Sequence, residues 1–382
     1  SCIPSAYEDS CTNANKTATV ARMDPAVRSS AASMPTSIRD VTPEWLTAVL
    51  RADGALPAEG IVTRVAAEQI AVGTGFLSDL FRLRLQGDGP ESLILKLPVT
   101  SARYRATAQG TNAYQREVVF YRDLARSCPL RTPHAYHAQF EESGAMVLLL
   151  EDLGALEAPD HLEGLALDRA GLVIDRLAEF HAWGASPNRP PLDPAIFPAV
   201  VDQVGQLGAV FPLGWPIYLA NRRHDHPPAV DRLIERLPDL TLELADSLAG
   251  PVCLAHGDLR VDNLFFAGND VAIVDFQFCK RASGIYDVAY LLSQGLDTTV
   301  RRGHDRELIG RYVRAVRSAG LFIDDDTAWD QYVRATALLV AFPLGAILGW
   351  PTLGERARDL LLTLIERWAA AAVDVEATAL AS

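Results

Sequence analysis

The chain has 382 residues, 35 Lys plus Arg against 48 Asp plus Glu for a net charge of −13, and 49% hydrophobic residues. That length allows two or three domains of roughly 150 residues with a cleft between lobes, and the balance excludes a disordered chain or a disulfide-stapled miniature fold. The negative field disfavours nucleic-acid backbones and anionic membrane surfaces as partners, so any phosphate must be met by local cations or metal ions.

Five cysteines (Cys2, Cys11, Cys128, Cys253, Cys279) are odd in number and form no metal-type cluster, and no secretory apolar run opens the chain. A reduced, cytoplasmic protein is the expectation. Residues 1–36 lack glycine and apolar periodicity and are expected to be a flexible tail. A helix should start at Thr42-Pro43-Glu44, where Thr42 caps, Pro43 suits the first turn and Glu44 complements the dipole, and run to about Leu50. From Ile61 to Pro98 alternation predicts strands, with Phe81, Leu83 and Leu85 on one face and Arg82 and Arg84 on the other. The third strand, Leu93 to Leu97, carries Lys96. Tyr114 to Ala125 reads as an amphipathic helix containing Glu117, and two more strands end in Leu150-Glu151-Asp152-Leu153-Gly154. Helical patterns follow, such as Asp168 to Trp183, so a sheet-rich lobe over 37–153 gives way to a helical lobe over 154–382. Ala335 to Gly354 is uncharged, but Pro343, Pro351 and three glycines interrupt it, which reads as buried helix, turn and helix.

The most informative stretch is His256-Gly-Asp258-Leu-Arg-Val-Asp-Asn263, then a short strand ending at Asp275-Phe276-Gln277. A hairpin across Gly268-Asn269-Asp270 would bring Asp258, Asn263 and Asp275 to one point as oxygen ligands or bases, and such hard donors suit Mg²⁺. Phosphoryl transfer from ATP also needs a loop over the phosphates and a lysine held by a glutamate. Gly73-Thr-Gly75-Phe-Leu-Ser78, Lys96 and Glu117 supply these in kinase order.

On these residues, and on Leu150 to Gly154 and Leu177 to Ala182, the chain resembles the aminoglycoside phosphotransferase and choline kinase superfamily, with a texture like its ecdysteroid kinase-like branch. The resemblance covers roughly residues 40 to 370. It implies an α+β, bilobal protein-kinase-like fold: an N-terminal nucleotide-binding lobe with a five-stranded antiparallel sheet and a helix, and a larger helical lobe with the catalytic loop and acceptor pocket. It implies that Asp258 is the catalytic aspartate, Asn263 and Asp275 are Mg²⁺ ligands, Lys96 and Glu117 position the phosphates, and backbone near Glu151 to Leu153 meets the adenine. Gly73, Gly75 and Ser78 would belong to the phosphate loop. His256 is expected to brace the catalytic loop, and Asp287 either to stabilise it or to cap a helix. Asp262 is expected to face solvent. Gln277 removes the glycine hinge of the kinase Asp-Phe-Gly and implies a constitutively assembled site.

The implied activity is transfer of the ATP γ-phosphate to a hydroxyl of a small molecule, an antibiotic, sterol-like or other metabolite alcohol. Two alternatives share part of this machinery: a kinase for Ser or Thr of a peptide, and a nucleotide-binding scaffold without transferase activity. The acceptor pocket is expected between Ala185 to Pro228 and the last helices, Asp326 to Trp368, with Trp183, Phe197, Trp215, Tyr218 and Trp350 as candidate lining. An aromatic wall would favour a lipophilic acceptor, and converging carboxylates an aminoglycoside.

Overall fold

The computed structural model of the chain describes residues 33–71, 77–204 and 207–381. The expected tail up to residue 32, together with Gly73 and Gly75, lies outside the described residues.

Thr42 Oγ1 accepts from the Trp45 N–H at 3.2 Å, Pro43 fills the first helical position and Gly54 at φ 90° ends helix α1 (Pro43–Asp53). Strands β1 (Val62–Ile70), β2 (Ser78–Gly87) and β3 (Ser92–Pro98) follow, then helices α2 (Ala102–Gly110) and α3 (Ala113–Val119), then β4 (Ala135–Phe140) and β5 (Met146–Glu151). The five strands form one antiparallel sheet in the order β1-β2-β3-β5-β4. Strand alternation divides its two faces. Leu83, Leu93, Leu95 and Leu97 pack with Trp45, Leu46 and Leu50 of α1, so the period of two places Lys96 on the other face with Ile94.

The helix expected over Tyr114 to Ala125 ends sooner as α-helix: α3 widens into a π-helical turn, Phe120–Leu124, and closes with a 3-10 turn, Ala125–Ser127. Widening lets Phe120, Tyr121 and Leu124 all turn inward. Phe120 stacks on Phe276 with centroids 3.6 Å apart, and Tyr121 meets the same ring edge-on at 5.8 Å.

The second lobe begins with α4 (Leu167–Ala185), α5 (Val200–Val204), α6 (Val210–Asn221) and α7 (Pro228–Asp246). Four short strands then form two antiparallel pairs: β6 (Cys253–Ala255) with β9 (Lys280–Ala282), and β7 (Leu264–Ala267) with β8 (Asp270–Ile273). In the second pair Leu264 faces Ile273 across the expected turn, which holds segments 256–263 and 274–279 side by side. The chain finishes with α8 (Ile285–Gly295), α9 (Thr298–Arg301), α10 (Asp305–Ser318), α11 (Asp325–Leu339), α12 (Ala341–Ala346) and α13 (Glu355–Asp374).

The helical run Asp325–Thr352 holds an 18-residue stretch apolar enough to cross a membrane, with a mean hydropathy of 1.6, and 61% of that stretch is buried in the protein. Within Ala335 to Gly354 the expected helix, turn and helix are the end of α11, a turn at Val340 and α12, which a 3-10 segment, Ile347–Thr352, then extends. Ala341, Leu344 and Ile347 enter the core, and Phe342, Ala346 and Leu348 remain partly open.

Candidate active site

The loop after β6 is shaped by backbone needs. Gly257 has φ +86°, and a Cβ there would lie 2.2 Å from the Phe278 carbonyl, so only glycine fits. The amides of His256 and Gly257 donate to the two oxygens of Asp287 at 2.6 and 2.9 Å, and His181 Nε2 stands 3.0 Å from the same carboxylate. Burial pushes the Asp287 carboxyl up, but these bonds and the nearby His181 and His256 outweigh it and hold it below the usual range. Asp287 lies within the first turn of α8, whose cap is Gly284, so its partner is the loop and not its own helix end. The Asp258 N–H donates to His256 Nδ1 at 3.2 Å, which leaves Nε2 to donate to the Val274 carbonyl at 3.0 Å. His256 therefore ties the two segments together with both ring nitrogens engaged.

Asp258 is 6% exposed. Its Oδ1 lies 3.4 Å from Arg260 Nε, and Tyr290 lines the same cavity. Asn263 Nδ2 donates to the Asp258 carbonyl at 2.8 Å, which orients the amide and leaves its oxygen for another partner. Asp275 adopts a left-handed backbone (φ 70°, ψ 64°), a conformation that aspartate tolerates better than most residues. One carboxylate oxygen accepts from Lys96 Nζ at 3.0 Å and the other from Gln277 Nε2 at 3.2 Å.

Lys96 Nζ also donates to Glu117 at 2.8 Å. Burial opposes the ammonium, but Asp275 and Glu117 more than compensate, so its pKa is raised and the lysine stays charged. Burial pushes the Glu117 carboxyl up to about 7 against the attraction of Lys96. One cation is thus shared by two carboxylates, an arrangement short of positive charge. Arg116 fixes the neighbouring backbone, donating to the carbonyls of Gln277 and Ile196 at 2.7 Å and Thr111 at 2.9 Å. The expected groups from both lobes meet without a hinge glycine after Phe276.

Among the described residues no three His, Cys, Asp or Glu side chains converge as a metal cage. The donors present are Asp275 and the free amide oxygen of Asn263, a set that suits an ion keeping its other oxygens from water and phosphates. Ser78 is buried at the start of β2, and its Oγ has no hydrogen-bond partner. Glu151 turns its side chain away from the cleft: Oε2 accepts from the His134 N–H at 3.1 Å, and its own N–H goes to the His134 carbonyl. Leu153 is buried, with its carbonyl accepting from Leu156 at 2.9 Å.

Two expectations are corrected. Asp262 does not simply face solvent; it lies 3.4 Å from buried His161 and 3.8 Å from Arg260. A cavity of about 440 Å³ runs from Lys96 and Asp275 past Asp258 to α12 and α13, and none of Trp183, Phe197, Trp215, Tyr218 and Trp350 lines it. Trp215 instead packs on Tyr218 and Trp368 in the core, its indole N–H bound to Asp231 at 3.0 Å. The aromatic residues at the cavity are Phe278, Tyr290 and Phe342. Arg260 is the main omission of the sequence reading. Its position two residues after Asp258 on the same loop was the available signal.

Behind this wall Lys280 is buried, donating to the Tyr286 hydroxyl at 3.1 Å and lying 4.5 and 5.2 Å from the Tyr286 and Phe342 ring centroids. Burial, with Arg116 adding to it, depresses the ammonium to about 8. An unfolded lysine titrates near about 10.4, so between these values the unfolded chain binds the proton that the folded one has lost, and stability rises with pH there. Lys280→Met is expected to raise stability at pH 7 by about 2 kcal/mol after the lost contacts are offset. Urea titrations should show that gain fading as pH rises from 8 towards 10; a gain independent of pH would refute the charge-burial origin.

No curated protein matches the chain in sequence. Among solved structures, a choline kinase from Cryptosporidium parvum Iowa II is similar at 13% identity, covering 86% of this chain and 94% of that one, with a TM-score of 0.51. ADP-bound aminoglycoside phosphotransferase APH(2'')-Ib matches at 15% identity over 80% and 95% of the two chains, with a TM-score of 0.46. Amicoumacin kinase hAmiN, in complex with AMP-PNP, Ca²⁺ and Ami, matches at 15% identity over 84% and 92%, with a TM-score of 0.44. The choline kinase likeness supports the two-lobed kinase-like fold. A family model for phosphotransferase enzymes matches residues 68–374, from within β1 to the last residue of α13. Since that span includes Lys96, Glu117, the 256–263 loop and Asp275, the chain belongs to the phosphotransferase enzyme family.

Proposed function

We propose that this phosphotransferase moves the γ-phosphate of ATP to a hydroxyl of a small molecule, with Mg²⁺ as the metal. The observation that carries this reading is the meeting of Lys96, Glu117 and Asp275 in one hydrogen-bonded set beside a cavity that also exposes Asp258. A silent scaffold would not need the lysine and both aspartates together.

In this reading Lys96, held by Glu117, binds the phosphates, and Ser78 with the Gly73 and Gly75 loop covers them. Backbone groups of Glu151 to Leu153 receive the adenine; the side chain of Glu151 takes no part. Asn263 and Asp275 hold the metal ion, which when bound neutralises charge on the phosphates. Asp258 accepts the proton of the attacking hydroxyl. Arg260 keeps that carboxylate in place and adds positive charge where the phosphoryl group passes. Cys128, Cys253 and Cys279 are free thiols, which supports a reducing, cytoplasmic setting.

The test is a coupled assay for ATP-dependent phosphorylation of alcohols, followed by product mass. Chelation of divalent ions is expected to lower turnover by roughly three orders of magnitude, with recovery on adding Mg²⁺. Full turnover in chelator would overturn the metal assignment.

A further inference from the structure

The cavity has two chemically distinct ends. Its charged lining residues, Lys96, Asp258, Arg260 and Asp275, sit together at the end where phosphate would transfer, two of each sign. Beyond them the wall is apolar, with Leu207 and Val210 on one side, Phe342 and Ala346 of α12 above, and Leu361 and Leu364 of α13 behind. Phe342, Ala346 and Leu348 are among the residues of the long apolar run that the core leaves partly uncovered, and they face this space. A partly open apolar surface inside a cavity gains most from an apolar ligand.

The same wall is hostile to cations. Both carboxylates at the charged end are already engaged, Asp275 by Lys96 at 3.0 Å and Asp258 by Arg260 at 3.4 Å. The Phe342 ring already has a cation beside it, since the ammonium of Lys280 lies 5.2 Å from its centroid. An amine-rich acceptor would find no unpaired carboxylate among the lining residues.

We infer that the acceptor is an uncharged, lipophilic alcohol whose hydroxyl reaches Asp258 while its carbon skeleton lies along α12 and α13. This rests on the phosphotransferase reading of the site and narrows its substrate class. In the reaction the alcohol oxygen bonds to the γ-phosphorus, the bond to the β,γ-bridging oxygen breaks with its electron pair leaving on ADP, and the hydroxyl proton passes to Asp258. The product is a phosphate monoester.

Calorimetry without nucleotide, using 1-hexanol, 1-octanol, 1-decanol and testosterone against choline and kanamycin, tests the class independently of catalysis. The dissociation constant is expected to fall roughly fourfold per added methylene while the wall is being covered. Choline and kanamycin should bind more weakly than decanol. Gly345→Leu should fill the cavity and weaken decanol binding at least tenfold; a Cβ there meets only Val210, at 3.7 Å, so the fold has room for it. Flat affinities across the series, tighter binding of choline or kanamycin, or unchanged decanol affinity in Gly345→Leu each overturn the inference. Binding of decanol by a protein that never phosphorylates any alcohol would instead remove the catalytic reading. Kanamycin phosphorylation with no alcohol binding would leave that reading standing and remove the lipophilic class.

Discussion

Asp258→Asn is expected to leave ATP binding close to wild type and to lower the turnover of phosphate transfer by roughly 10²–10⁴-fold. The substitution keeps shape and removes the group proposed to take the hydroxyl proton. It should do little else to the loop, because the surrounding bonds rest on backbone atoms: Asn263 is bonded to the carbonyl of residue 258, and the amide of residue 258 is bonded to His256. The ion pair with Arg260 at 3.4 Å is put at risk, and Arg260 retains Asp262 at 3.8 Å. Nucleotide affinity by calorimetry and turnover by coupled assay separate the two effects. Turnover within threefold of wild type would mean that Asp258 is not the base, and a loss confined to nucleotide affinity would move its role to binding.

Much of this site was legible because its chemistry is local. Asp258, Asn263 and Asp275 lie in one short stretch folded back by a hairpin, and the turn residues announce that hairpin. Lys96 was legible for a different reason, since strand alternation fixes which face it shares with Ile94, and Glu117 follows on the next helix. The cavity wall was not legible. Which aromatic residues face an opening depends on how helices are rotated against each other, and Trp215 is claimed by Asp231, Tyr218 and Trp368. The π-helical turn after α3 was hidden for the same reason: Phe120 turns inward to meet Phe276, a residue far along the chain. Asp262 reads as a surface residue until His161 arrives beside it from the start of the helical lobe. Local spacing thus carries the proposed reacting groups, and packing between distant segments decides which residues line the cavity beside them.

Asp287→Ala is expected to destabilise the protein by roughly 3–5 kcal/mol and to cost turnover as well, although Asp287 touches none of the reacting atoms. The loss is large because one fully buried carboxylate serves three donors, the amides of His256 and Gly257 and the ring of His181, and alanine would leave them buried without partners. The amides belong to the residues just before Asp258, so their release loosens the proposed base itself. Asp287→Asn retains an oxygen for one amide and turns an N–H₂ group on another donor, so it should fall between wild type and alanine in both stability and turnover. The pH dependence fixes the origin. The folded carboxyl is held below its unfolded value of about 3.9, so its contribution is fully present above that value and is lost as pH falls through the lower, folded one. Urea midpoints of wild type and Asp287→Ala should therefore differ most at neutral pH and converge as the pH is lowered below about 4. A constant difference down to strongly acidic pH would show that lost packing, and not the ionised carboxylate, holds the catalytic loop.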